Sequence, residues 1–156
     1  MVIHILGHRS ALNFVPGVET YALRIFDTYG RNSAHKKKNK LQQSGLFTIR
    51  EYTFDDLDLI AELSFHPEHA LSYLGSKRVL LDEKQAAKII QDFQEHKDKC
   101  IDLLVHCTQG ISRSPAIAIS LNELFNLGED SEKLKETYRS YNRYVYDVMM
   151  KIGRKK

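Results

Sequence analysis

The 156-residue chain predicts a single α/β domain spanning 1–156. Its expected architecture is a central, mostly parallel sheet of four or five strands flanked by helices on both faces. Three observations carry that prediction. Short apolar runs alternate with segments of helical period, the pattern of successive βα units. The runs expected at the centre are apolar on both sides, as parallel strands covered by helices must be. The length suits one domain with a proper core.

Taken in order, Val2–Leu6 reads as a buried strand. Tyr21–Phe26 follows as a second, after the Pro16-Gly17 turn signal. Residues 31–45 are polar and read as a loop. Phe47–Phe54 is rich in aromatic and β-branched residues, which favour a third strand, and it runs into the acidic cluster Asp55-Asp56-Leu57-Asp58. Between 59 and 79 the pattern is weak, with His66-Pro67-Glu68-His69 as a possible helix start. Asp82 predicts a helix N-cap, with Gln85 as reciprocal partner. Ala86, Ile89, Ile90 and Phe93 then share one helical face. Ile101–Val105 predicts the fourth strand, apolar apart from Asp102. Pro115–Phe125 predicts an apolar helix that stops near Gly128, since proline is tolerated in a first turn. Ser131–Tyr138 and Tyr141–Ile152 read as closing helices, with Tyr138, Tyr141, Tyr144 and Tyr146 as packing residues.

Composition excludes several classes. No run approaches the roughly 18 apolar residues that a membrane span requires. The opening MVIHILGHRS lacks a basic leader and a small-residue cleavage site, so a cytoplasmic protein without membrane association is expected. The net charge of +3 is too mild to argue for nucleic acid by itself. The basic run His35-Lys36-Lys37-Lys38-Asn39-Lys40 reads first as a solvated loop and second as an electrostatic guide for a phosphorylated partner. Cys100 and Cys107 flank the fourth strand, which holds them roughly 20 Å apart. A disulfide needs Cα atoms within about 7 Å. At least one is therefore a free thiol, as in a reducing compartment. Two cysteines without histidines at ligand spacing make a poor zinc site, and no metal or cofactor is expected.

The informative segment is Val105-His106-Cys107-Thr108-Gln109-Gly110-Ile111-Ser112-Arg113-Ser114, which joins an apolar strand to an apolar helix. Backbone N–H groups of a loop entering a helix N-terminus converge into a cradle for an anion. Gly110 permits a close backbone approach. Arg113 presents a planar fork matched to two phosphate oxygens. The electropositive cradle favours a cysteine thiolate, which makes Cys107 the nucleophile candidate. Thr108, Gln109, Gly110, Ile111, Ser112 and Arg113 form the expected phosphate site. Ser114 is placed to donate to the sulfur, and His106 is expected to orient the loop while pointing away from the substrate. In parallel sheets ligands bind beyond the carboxyl ends of strands, which is where Cys107 falls. A structural cysteine in a buried turn is the bland alternative.

His106-Cys107-x-x-Gly110-x-x-Arg113-Ser114 resembles in full the signature loop of the cysteine-based protein tyrosine phosphatases, and the chain's size is similar to the dual-specificity branch. Those residue types at those spacings arise by chance on the order of once in 100,000 chains of this length. The low-molecular-weight phosphatases carry a related loop near the N-terminus, and rhodanese-like proteins do not explain Arg113-Ser114. The resemblance implies a phosphatase acting through a phospho-cysteine on Cys107. It also implies an aspartate general acid on a loop after an upstream strand. Asp56, in the stretch Tyr52-Thr53-Phe54-Asp55-Asp56, matches that acid's position, and Asp55 is the alternative. Asp58, Glu68 and Asp82 are further carboxyls nearby. The separation from Cys107 exceeds the family's usual spacing, so residues 59–79 are expected to be an insertion.

None of the five residues between Cys107 and Arg113 is charged. Phosphoinositide phosphatases of the resembling superfamily often place lysine there, whereas uncharged side chains suit a monoester. A phosphorylated protein is therefore the expected substrate, phosphotyrosine first and phosphoserine or phosphothreonine as well. The chain is expected to act as a monomer. An RNA 5′-triphosphate is a secondary expectation, and a phosphopeptide-binding module with weak or no turnover is the non-enzymatic alternative. Asn142 is a candidate to support the loop from behind.

Overall fold

A computed structural model of the chain describes residues 1–28, 39–65, 68 and 78–155. Among the described residues four strands form one sheet: β1 (Val2–Gly7), β2 (Thr20–Phe26), β3 (Phe47–Thr53) and β4 (Asp102–Cys107). All pairings are parallel, in the order β1-β4-β2-β3. The α-helices whose ends both lie among the described residues are α1 (His8–Leu12), α2 (Leu59–Phe65), α3 (Glu83–His96), α4 (Arg113–Phe125), α5 (Ser131–Thr137) and α6 (Arg143–Gly153). The α/β class and the parallel sheet agree with the sequence reading.

The two faces of the sheet are covered unequally. Tyr21, Leu23 and Ile25 of β2 and Leu103, Val105 and Cys107 of β4 enter the larger core with side chains of α3, α4 and α6. The predicted face of α3 does the work there: Ala86, Ile89, Ile90 and Phe93 are all buried. Burial of a side chain such as Phe93 contributes about 1.5–3 kcal/mol relative to leaving it in water. On the other face, Ala22 and Leu104 meet Ala11 of α1 and Leu41, with Phe14 and Phe47 at the rim. Among the described residues α1 is the helix of that face.

Several local features differ from expectation for identifiable reasons. The first strand lies at the sheet edge, so it is half-exposed rather than buried, and Val2 is an exposed hydrophobic. Asp102 is partnered by His4 from this edge strand, Nε2 to Oδ2 at 2.9 Å. Asp82 caps α3 by accepting from the Gln85 backbone N–H at 2.7 Å. The Gln85 side chain does not close the reciprocal half of the box. It donates instead to the carbonyl of Thr53, at the end of the edge strand β3 (3.2 Å). Residues 59–65 are helical, started by Asp58, whose carboxylate accepts from the Ala61 N–H at 3.2 Å. The suggested helix start at 66–69, apart from Glu68, and positions 35–38 of the basic run lie outside the described residues.

Candidate active site

Parallel strands deliver their loops to one end of the sheet, and β4 delivers Cys107 there. Side chains alternate along a strand. Cys107 therefore belongs to the helix-covered face and His106 to the opposite one. The loop from Thr108 to Ser112 leads straight into α4, whose first residue is Arg113. Gly110 has φ +77°, and a Cβ there would come within 2.5 Å of the Gly7 nitrogen and the Leu6 carbonyl carbon. Both backbone conformation and contact therefore require glycine. The end of β1 thus forms a floor behind the loop, and His8 N–H donates to the Thr108 carbonyl at 3.0 Å.

The sulfur of Cys107 is held between two polar groups. Gly110 N–H donates to Sγ at 3.3 Å, and Ser114 Oγ shares a hydrogen bond with it at 3.2 Å. Cys107 is only 3% exposed. It nevertheless lines a cavity of about 220 Å³, together with Asp27, Asp56, Thr108, Gln109, Ile111, Ser112 and Arg113. Gln109 and Ile111 are exposed at the mouth.

Arg113 is buried and held on two sides. Nη1 donates to the Phe54 carbonyl at 2.7 Å. Nη2 donates to Thr108 Oγ1 at 3.1 Å and pairs with Asp27 Oδ1 at 2.6 Å. Nε is buried without a partner. An orphaned guanidinium N–H is costly unless a ligand satisfies it.

The acidic cluster divides into three roles. Asp56 reaches the cavity, and its Oδ1 accepts from Ser112 Oγ at 2.7 Å and from Asn142 Nδ2 at 3.0 Å. Asp55 turns away from it. Its carboxylate accepts from Thr28 N–H (2.9 Å), Thr28 Oγ1 (2.5 Å) and Val79 N–H (2.8 Å), tying two loops together. Burial opposes ionisation of Asp55, but the Thr28 and Val79 donors outweigh it and hold its pKa below the usual value. Asp58 receives the Arg143 and Tyr144 N–H groups at 2.9 and 3.2 Å, steadying the start of α6. Asp82 serves α3 as its cap, and Glu68 is exposed. Asn142 contacts the loop through its backbone, its N–H donating to the Ser112 carbonyl at 3.0 Å, and it also caps α6.

His106 is fully buried on the far face. Arg24, its register partner on β2, donates from Nε to His106 Nε2 at 2.9 Å. The imidazole is kept neutral: burial, then the charge of Arg24, push its pKa down to about 3. Arg24 is itself 4% exposed and is further bonded to Glu51 and to the Asn39 carbonyl. Cys100 stands apart as a second free thiol at the other end of β4, with burial raising its pKa.

Two site residues escaped the sequence reading. Asp27 directly follows β2, the strand beside β4, and an acidic residue beyond a central strand's carboxyl end was the available signal. Gly7 ends β1, where a Cβ would approach the Gln109 carbonyl oxygen to 3.0 Å. Nothing in its local sequence marks that contact.

No family model and no curated protein matches the chain. Solved structures do resemble it. Tk-PTP in its active form aligns with a TM-score of 0.53 at 10% sequence identity, covering 100% of this chain and 94% of that one. PTPMT1 aligns with a TM-score of 0.52 at 12% identity, covering 99% and 90%. At such identities the likeness is one of fold: the chain has the architecture of the cysteine-based protein tyrosine phosphatases.

Proposed function

We propose that the protein is a phosphatase of dual-specificity type that hydrolyses phosphate monoesters through a phospho-cysteine on Cys107. The observation that carries this reading is the meeting of Cys107, Arg113 and Asp56 around one cavity. The sulfur attacks phosphorus, the P–O bond to the leaving group breaks, and the departing oxygen takes a proton from Asp56. A water then gives its proton back to Asp56 and its oxygen to phosphorus. The S–P bond breaks, and the Ser114 hydroxyl stabilises the thiolate as it leaves. Phosphoryl transfer passes through a loose transition state that needs positioning and charge neutralisation. Arg113 and the loop N–H groups supply both, so the route calls for no metal.

The proposed substrate is a phosphorylated protein, phosphotyrosine first and phosphoserine or phosphothreonine as well, processed by a monomer in the cytoplasm. Among the described residues no helix is long and apolar enough to cross a membrane. The presence of Asp56 in the same cavity as Cys107 favours turnover over a module that only reads phosphopeptides. Turnover of an aryl phosphate in excess chelator, blocked by vanadate and lost in Cys107→Ser, is the expected result. Undiminished turnover by the serine variant would contradict the covalent route.

A further inference from the structure

The carboxylate of Asp27 sits on the clamp that the phosphate would use. Its Oδ1 is 2.6 Å from Arg113 Nη2, and its Oδ2 accepts from Thr108 Oγ1 at 3.1 Å. Thr108 Oγ1 in turn accepts from Arg113 Nη2 at 3.1 Å, which closes a three-membered ring of arginine, threonine and aspartate. Asp27 is not sealed away: its side chain is 27% exposed and lines the cavity. Nη2 is therefore hydrogen-bonded to Thr108 and ion-paired with Asp27 before any substrate arrives, while Nε is buried and unpartnered. The described lining holds two carboxylates, Asp27 and Asp56, and one cationic side chain, Arg113.

We infer that Asp27 is the selectivity residue of this pocket: by sharing Arg113 with the incoming group, it admits a single phosphoryl group and rejects a second one beside it. The inference rests on the phosphate-site reading above and adds the substrate class to it. One phosphoryl group is served by Nε, the loop N–H groups and a shared Nη2. A neighbouring phosphoryl group finds no second cation in the described lining and meets the Asp27 charge at short range. Monoesters are accepted on this basis, while pyrophosphate linkages, 5′-triphosphorylated RNA and clustered phosphates are excluded.

Inorganic phosphate and inorganic pyrophosphate, titrated calorimetrically into wild type and Asp27→Asn, test this without relying on turnover. The amide keeps an acceptor for Thr108 but removes the charge. Loss of one unit charge a few ångströms from the second phosphoryl group is expected to shift the phosphate-to-pyrophosphate preference by about tenfold toward pyrophosphate. Asp27→Glu is expected to retain the wild-type preference, and it serves as the informative variant should the asparagine form fold poorly. Equal factors for both anions in Asp27→Asn, weaker binding of both, or a pyrophosphate-preferring Asp27→Glu would overturn the inference and leave Asp27 as a scaffold for Arg113. Failure of the covalent mechanism reads differently: turnover would survive in Cys107→Ser while the anion preference still depended on Asp27.

Discussion

Side chains alternate along β4, so His106 and Cys107 leave the same strand toward opposite faces of the sheet. Both are buried, yet their partners differ in kind. On the far face Arg24 donates to His106 Nε2 and is itself bonded to Glu51 and the Asn39 carbonyl, while His106 Nδ1 stays buried without a partner. On the near face Cys107 meets donors, and the neighbouring Arg113 keeps Nε unpartnered at a cavity. Each network leaves one buried nitrogen unpaired, but Arg113 lines the cavity, where a ligand can enter, and His106 does not. On the proposed mechanism, that difference separates residues that hold the loop from residues that act at it.

The comparison is sharpened first at Arg113. Arg113→Lys keeps a charge but loses the planar fork, and kcat/KM on an aryl phosphate is expected to fall about 1,000-fold, the scale at which a transition-state arginine acts in phosphoryl transfer. Next, Asp56→Asn removes the proposed proton donor while preserving shape. Its expected loss is about 100-fold, a typical share for general acid catalysis, and it should grow as the leaving group becomes poorer. A loss independent of the leaving group would instead make Asp56 a support for Ser112.

The far face should answer in stability more than in rate. Arg24→Met leaves His106 Nε2 without its donor, and denaturant unfolding should show a loss of about 2 kcal/mol, the cost of one buried polar group left unpaired. Activity of the surviving folded protein should stay within about tenfold of wild type. The smallest effect concerns pH. His106 has its pKa near 3 when folded and close to 6.5 when unfolded, so between those values the unfolded chain binds a proton that the folded chain refuses. Stability is thus full above about pH 6.5 and falls as pH drops, by at most about 1.4 kcal/mol per pH unit from this group. Between pH 6.5 and 5, His106→Gln should flatten that slope. An equal slope in both proteins would place a neighbouring group at its origin.

Legibility followed the range of the interaction. The signature loop, the cap at Asp82 and the buried face of α3 are set by neighbours in sequence, and local chemistry exposes them. Between Asp55 and Asp56 the sequence left two candidates for the acid, and tertiary contacts separate their positions: Thr28 and Val79 engage Asp55, while Ser112 and Asn142 bind Asp56, which lines the cavity. Asp27 was missed because its partner lies far along the chain and joins it through parallel pairing of β2 with β4. Strand order is likewise absent from local pattern, which is why the edge position of β1 did not show in its apolar sequence.

Rapid quenching of the enzyme during turnover of a radiolabelled aryl phosphate, followed by peptide mapping, tests the central claim most directly. Label is expected on the peptide containing Cys107, at up to one equivalent per chain, in an acid-stable and iodine-labile thiophosphate bond. A fully active enzyme that carries label on another residue, or none while product accumulates, would contradict the account.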